Sequence, residues 1–261
     1  MGDLDGSAGL ILNSFELTDK KCSIHPGEKI WKRKSTGEVL KCPLCADADR
    51  IEEEREEKRE KDLGRIEERV KLFQVHGYAD MTWESTKVYD SEQERVRGRL
   101  WDMSNGRAPW RNLLLIGDQG TGKSLYAYLI GVDEIRRGGS AVRLKSKLFF
   151  NEVEHRRSHQ LNVNEYLESI VSRNLVIFDE IGRSVGSKSE NDNFFHLLDL
   201  AEERRTRVIL ICNLNFKPMG ERIPGNNYAI DYIDEDRVSN KKKWQIIPFT
   251  WQSYRRLDGK N

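Results

Sequence analysis

Of all the stretches in this chain, Gly117-Asp118-Gln119-Gly120-Thr121-Gly122-Lys123-Ser124 most narrows what it can fold into. It follows the apolar run Leu113-Leu114-Leu115-Ile116 and precedes the helical-looking Leu125-Tyr126-Ala127-Tyr128-Leu129-Ile130. A buried strand, a loop of the form G-x-x-x-x-G-K-S and a helix, in that order, make a cradle for phosphate. Glycines let the loop take positive φ and bring backbone N–H groups up to phosphate oxygens. The loop then opens onto a helix N-terminus, where unpaired amides and the helix dipole favour negative charge. Lys123 is placed to reach the β- and γ-phosphates, and the Ser124 hydroxyl to hold Mg²⁺.

A second strand points to the same chemistry. Leu175-Val176-Ile177-Phe178-Asp179-Glu180 is a continuous apolar run, as expected of a parallel strand buried on both faces, and it ends in two carboxylates. In P-loop nucleotide hydrolases an Asp at this strand end helps hold Mg²⁺. A Glu beside it can orient and polarise the attacking water. Asp179 is therefore read as the metal-side residue and Glu180 as the catalytic base of an ATPase-type core.

Composition limits the alternatives. At 261 residues the chain has room for one full α/β domain and a smaller attachment. A formal net charge of +1 argues against a globally basic nucleic-acid coat while permitting local basic patches. No apolar run approaches the ~18 residues of a membrane span. Met1-Gly2-Asp3-Leu4-Asp5 lacks the positive start of a signal peptide, and four cysteines, three of them clustered, suit a reducing compartment. The expected location is the cytoplasm.

Those three cysteines lie in Cys22-Ser23-Ile24-His25 and Cys42-Pro43-Leu44-Cys45, with sixteen residues between the two knuckles. The pattern predicts a tetrahedral zinc site of three thiolates and one imidazole; reduced, unligated thiols are the alternative. Four protein ligands leave no open coordination position, so the role expected of such a zinc is structural. Gly27, Ile30, Trp31 and Gly37 suit a short hairpin turning near Ser35-Thr36-Gly37. The loop is basic, which fits nucleic acid, an acidic partner or a solvated face alike.

From Asp47 to about Gln74 the chain is almost wholly charged. Glu54–Lys58, Glu57–Lys61 and Glu67–Lys71 lie four apart with the acid first, which supports a helix. Leu63, Ile66, Val70 and Phe73 form a short apolar stripe, so the carboxyl half of that helix is expected to lie on another surface. Either a linker or a partner-docking helix fits. The predicted organisation is a zinc module over 1–46, a charged helical linker over 47–76 closed by Gly77, and an ATPase domain over 77–261.

Within that domain, Trp83 could face an adenine or simply pack. A helix is predicted around Ser91–Met103, a strand over Ala141–Leu144, a helix over Asn193–Glu203, and further strands over Val208–Asn213 and Trp244–Phe249. Lys145-Ser146-Lys147-Leu148-Phe149-Phe150 interleaves basic and aromatic residues, which suits single-stranded nucleic acid; burial of both phenylalanines in a helix core is the competing reading. Cys212 falls inside a strand and is expected in the core. Asn213, at the tip of a strand beside the acidic one, could contact the γ-phosphate or the attacking water.

In this order the pieces resemble the AAA+ ATPase of bacterial replicative-helicase loaders of the DnaC/DnaI type, whose relative IstB is a transposition helper. The resemblance covers roughly residues 78–256. It rests on GDQGTGKS, LVIFDEIG with its polar loop and helix, ERRTRVILICNLN, Asp236-Arg237-Val238 and the closing Trp251-Gln252-Ser253-Tyr254-Arg255. It implies an α/β AAA+ P-loop fold with a parallel sheet, here preceded by a zinc module and a long charged helix. It implies ATP with Mg²⁺, beside the Zn²⁺ predicted above. Asn213 matches the sensor-1 residue, Arg237 the arginine finger that completes a neighbouring subunit's site, and Arg255 the sensor-2 arginine acting in cis. The implied partners are a hexameric replicative helicase, single-stranded DNA and other copies of the chain. The alternative is an IstB-like helper ATPase on double-stranded DNA.

Overall fold

The computed structural model describes residues 14–74, 77–181, 188–213 and 243–254, without the side chains of 188–191. The chain divides into two compact units, residues 1–65 and 66–261.

In the first unit, β1 (Phe15–Lys21) pairs antiparallel with β2 (Lys29–Arg33), with Leu17 opposite Trp31. The turn expected near Gly37 is present, with Gly37 at φ 73°, but it closes only a single bridge between Lys32 and Val39. The main partner of β2 is instead β1. The alternation of Phe15 and Leu17 with polar neighbours is the signal for that strand. Helix α1 (Pro43–Phe73) starts earlier than the charge pattern suggests, because Pro43 suits a first helical position and the second cysteine knuckle lies in the opening turn. Glu57 pairs with Lys61 at 3.4 Å, and Asp47–Arg50 and Glu52–Arg55 add pairs three apart.

The last residues of α1 belong to the second unit. Val70 is buried, and Phe73 stacks on Tyr128 at 5.9 Å. Leu63, also in the apolar stripe, stays exposed.

The second unit is built on a parallel sheet of β3 (Asn112–Gly117), β4 (Ala141–Lys145), β5 (Leu175–Ile181), β6 (Arg207–Cys212) and β7 (Trp244–Phe249). Their order is β4-β5-β6-β3-β7. Helices cover both faces, as the continuous apolar runs require. Leu113, Leu115, Ile177 and Ile211 face α2 (Ser91–Ser104) and α3 (Lys123–Arg136), meeting Leu100, Tyr126 and Ile130. Leu114, Ile116, Val176, Phe178 and Leu210 face α4 (Ser146–Ser158), α5 (Val163–Val171) and α6 (Lys188–Glu203). Cys212 is buried in this second layer, as expected of a core residue.

The sheet order positions the site. Because β6 is inserted between β3 and β5, the loop after β3, the acidic end of β5 and Asn213 after β6 all come to the carboxyl edge of neighbouring strands. Among the described residues, no helix is long and apolar enough to cross a membrane.

Candidate active site

The phosphate loop is shaped by close approach. A Cβ on Gly117, at φ 146°, would lie 2.9 Å from the Phe249 Cβ on β7. Gly122, at φ 96°, caps α3, and a side chain there would strike the Tyr254 ring at 2.8 Å. Inside the loop, the Thr121 hydroxyl donates to the Asp118 carbonyl at 2.8 Å.

The end of the chain braces this loop from outside. The Trp251 indole donates to the Thr121 carbonyl at 3.0 Å, and the Tyr254 amide donates to the Gly120 carbonyl at 3.0 Å. Trp251 also packs on Phe249, at 4.8 Å between ring centres. The closing motif therefore serves the phosphate loop directly through Trp251 and Tyr254, a role the sequence motif did not assign to them.

Lys123 is buried, and its ammonium donates to the Gly117 carbonyl at 2.8 Å, the Asp118 carbonyl at 2.6 Å and the Thr121 hydroxyl at 3.3 Å. Burial lowers its pKa from 10.5 to about 8. The loop thus holds a desolvated cation at the mouth of a helix N-terminus, a setting suited to a polyanion.

Across from it, the Ser124 hydroxyl lies 3.3 Å from Asp179 Oδ1. Asp179 is buried; its Oδ1 also accepts the Glu180 amide at 2.9 Å, and its Oδ2 pairs with Arg143 of β4. Ser124 and Asp179 together present two oxygens at one point, a donor set fit for a magnesium ion that keeps several waters. The Arg143 partnership went unread in the sequence. It follows from register, since Arg143 stands opposite Ile177, two residues before Asp179 and on the same face.

Glu180 departs from strand geometry. The β5–β6 register shifts between Phe178 and Ile181, and Glu180 sits at φ 62°, in the left-handed region. A non-glycine residue held there costs on the order of 1 kcal/mol or more, and a bulge re-aims its side chain relative to its neighbours. Asp179 and Glu180 are thus separated in direction as well as chemistry.

Asn213 follows β6 directly, between the loop strand and the acidic strand, as its sequence position implied. Arg237 and Arg255 lie outside the described residues. Trp83 packs rather than facing a base: its indole donates to Asp133 at 2.7 Å and its rings meet Trp101 and Tyr126. Phe149 is fully buried against Phe178 and Tyr166, and Phe150 packs against the same core. The basic-aromatic stretch therefore offers no free Phe149 face for stacking a base.

In the first unit, Cys22, His25, Cys42 and Cys45 bring their ligand atoms within 4.8 Å of one another. A tetrahedral zinc ion needs sulfurs about 3.8 Å apart and sulfur–nitrogen separations of about 3.6 Å. The Cys22 and Cys45 sulfurs are 3.6 Å apart, and His25 Nδ1 lies 3.4, 3.5 and 3.9 Å from Cys45, Cys42 and Cys22. The residues fit the ion. The amides of His25 and Ile24 pull the Cys22 thiol down to about 6, while hydrogen bonding with Cys42 and burial push Cys45 up to about 12. One thiol ionises readily while a neighbour resists, a conflict that a divalent cation at the centre would remove.

The inserted-strand sheet and its phosphate loop define a P-loop ATPase of the AAA+ class. The chain belongs to the family of IstB-like ATP binding proteins, whose model matches residues 50–257. An ATP-binding protein of insertion sequence IS232 from Bacillus thuringiensis subsp. berliner is 27% identical over 147 residues. That match spans 56% of this chain and 56% of that protein, so it takes in little more than half of the relative's length. Among solved structures, the DnaC helicase loader aligns with a TM-score of 0.53 at 13% identity, over 66% of this chain and 99% of that one. DnaI aligns with a TM-score of 0.53 at 16% identity, over 70% and 95%. DnaA of Aquifex aeolicus bound to AMPPCP aligns with a TM-score of 0.50 at 17% identity, over 69% and 52%. These structural likenesses are likenesses of fold.

Proposed function

We propose that this chain is an ATP-dependent loader of a hexameric replicative DNA helicase, acting with single-stranded DNA in the cytoplasm. The observation that supports the reading is the meeting of Lys123, Ser124 and Asp179 at one sheet edge, with Glu180 next along β5, on a fold that aligns with nearly the whole of the DnaC helicase loader and of DnaI. In this reading Gly117 to Ser124 wrap the phosphates and Lys123 reaches the β- and γ-oxygens. Ser124 and Asp179 would hold Mg²⁺, which neutralises charge on the transferring phosphoryl group when bound. Glu180 orients the attacking water and takes up its proton, and Asn213 contacts the γ-phosphate or that water. Arg237 would complete a neighbouring copy's site and Arg255 its own. Nucleotide then governs assembly with other copies and with the helicase, and the amino-terminal module, with zinc on Cys22, His25, Cys42 and Cys45, grips the helicase.

A second reading, an IstB-like transposition helper on duplex DNA, is favoured by the insertion-sequence relative. Strand preference separates the two. With ATP present, a fluorescent single strand is expected to bind more tightly than a duplex of equal length. A preference for duplex would overturn the loader reading and support the helper.

Two further outcomes test the chemistry. Phosphates hold Lys123 charged, whereas in the protein alone it loses its proton above about pH 8. Binding above that pH must therefore take up a proton, and ATP affinity should fall by up to about tenfold between pH 8 and pH 9, with little change between pH 6.5 and 7.5. Calorimetric titrations across this range check it; a flat profile would contradict the placement of Lys123 on phosphate. Metal analysis of the purified full chain should find about one zinc per molecule, lost in Cys42→Ser. Well below one zinc in the wild type would exclude the metal centre.

A further inference from the structure

Along the outer edge of the sheet in the second unit runs a groove of about 500 Å³ that the ATPase reading does not use. Its floor is the strand β4, the terminal strand of the sheet among the described residues, with Ser140 to Arg143 and Lys145 all lining it. Lining by consecutive residues, and not by alternate ones, means the groove follows the strand's backbone edge and not one face. Unpaired N–H and C=O groups on such an edge are a template for another strand.

The walls carry one sign of charge. Arg69, Arg143, Lys145 and Arg173 line the groove, with no carboxylate among the described lining residues. The Arg143 guanidinium is paired with Asp179 and its Nε is buried, so the charge it offers a ligand in the groove is small beside that of Arg69, Lys145 and Arg173. Leu72 and Leu148 project at either side, 88% and 62% exposed. Among the described lining residues no aromatic face is open for stacking a nucleic-acid base. Phe73, the aromatic residue of the groove, stacks its ring on Tyr128 and closes over Gly131.

We infer that this groove docks an acidic, extended segment of a partner protein, which adds as a strand beside β4. Main-chain hydrogen bonds to the edge supply affinity, carboxylates on one face of the segment meet the basic wall of Arg69 and Lys145, and the apolar side chains that alternate with them, on its other face, rest on Leu148. The groove touches the nucleotide site only through Arg143, which pairs with Asp179, and its strand edge lies outside the phosphate loop, so the inference stands whether the partner is a helicase, a transposase or another protein.

The test uses the full chain and a fluorescein-labelled peptide of about eight residues that alternates Glu with Val. Anisotropy should show saturable binding. Lys145→Glu combined with Arg173→Glu, both exposed positions, should weaken it by about tenfold or more, and Leu148→Asp should weaken it independently. N-methylation of alternate peptide amides should abolish binding in one register and spare it in the other, as strand pairing demands. Circular dichroism and ATP binding of the variants confirm that the fold is retained. The inference is overturned by equal binding of the all-D peptide, by indifference to both N-methyl registers, or by unaltered binding in the charge-reversed variants. Displacement of the peptide by a single strand of equal charge that binds more tightly through the same residues would overturn it in favour of nucleic acid.

Discussion

Replacing Lys123 with Ala is expected to weaken ATP binding by about a hundredfold or more while leaving the fold intact. The ammonium is the buried cation of the phosphate loop, and the charge-assisted hydrogen bonds it would make to phosphate are worth roughly 1.5–3 kcal/mol each. Losing two of them reaches that factor. The loop keeps its shape in the variant because other bonds brace it: Thr121 to Asp118 inside, and Trp251 and Tyr254 onto Thr121 and Gly120 from the chain's end. Removing a desolvated charge also offsets the loss of its bonds to the Gly117 and Asp118 carbonyls. Equilibrium binding of a fluorescent ATP analogue, beside a thermal melt, checks both halves. Near-normal affinity in a folded variant would end the assignment of Lys123 to phosphate.

Replacing Glu180 with Gln should separate binding from turnover. ATP affinity is expected to stay within about threefold of wild type, because Gln keeps the shape and removes only the basic oxygen, whereas hydrolysis should fall by about 10²–10⁴-fold. The bulge that holds Glu180 at φ 62° is made by the backbone register of β5 against β6, so the variant side chain leaves from the same place. Initial rates of phosphate release, with bound nucleotide measured on the same samples, give the comparison. Equal rates in wild type and variant would mean that Glu180 is not the base. If both were near zero, ATP would serve as a structural ligand.

Much of this site is legible in the amino-acid sequence, and what is not has physical causes. The strands β3, β5 and β6 announce themselves as apolar runs because both faces are covered, β7 reads as an apolar run broken only by Gln245, and the glycine spacing marks the loop between β3 and α3. The four ligands of the metal cluster are local pairs, so spacing alone brings each pair together. The brace from Trp251 and Tyr254 spans some 130 positions and depends on β7 lying beside β3, which apolar patterning does not specify. The Arg143–Asp179 pair likewise depends on which strands are neighbours. The bulge at Glu180 is invisible because a single extra residue leaves the apolar run unchanged. Strand β1 is mostly exposed and largely polar, so its alternation is carried by Phe15 and Leu17 alone. The Phe149-Phe150 pair illustrates the converse, since adjacent aromatics in a helix carry the same letters whether they face a core or a base.

The most direct test of the account is the mass of the particle formed when the full chain meets a hexameric replicative helicase. Size-exclusion chromatography with light scattering, run with ATP and then with ADP against a panel of bacterial helicases, measures it. The loader reading predicts a complex heavier than the helicase hexamer in ATP that weakens or dissolves in ADP. No complex in either nucleotide, with the ATPase active, would contradict it.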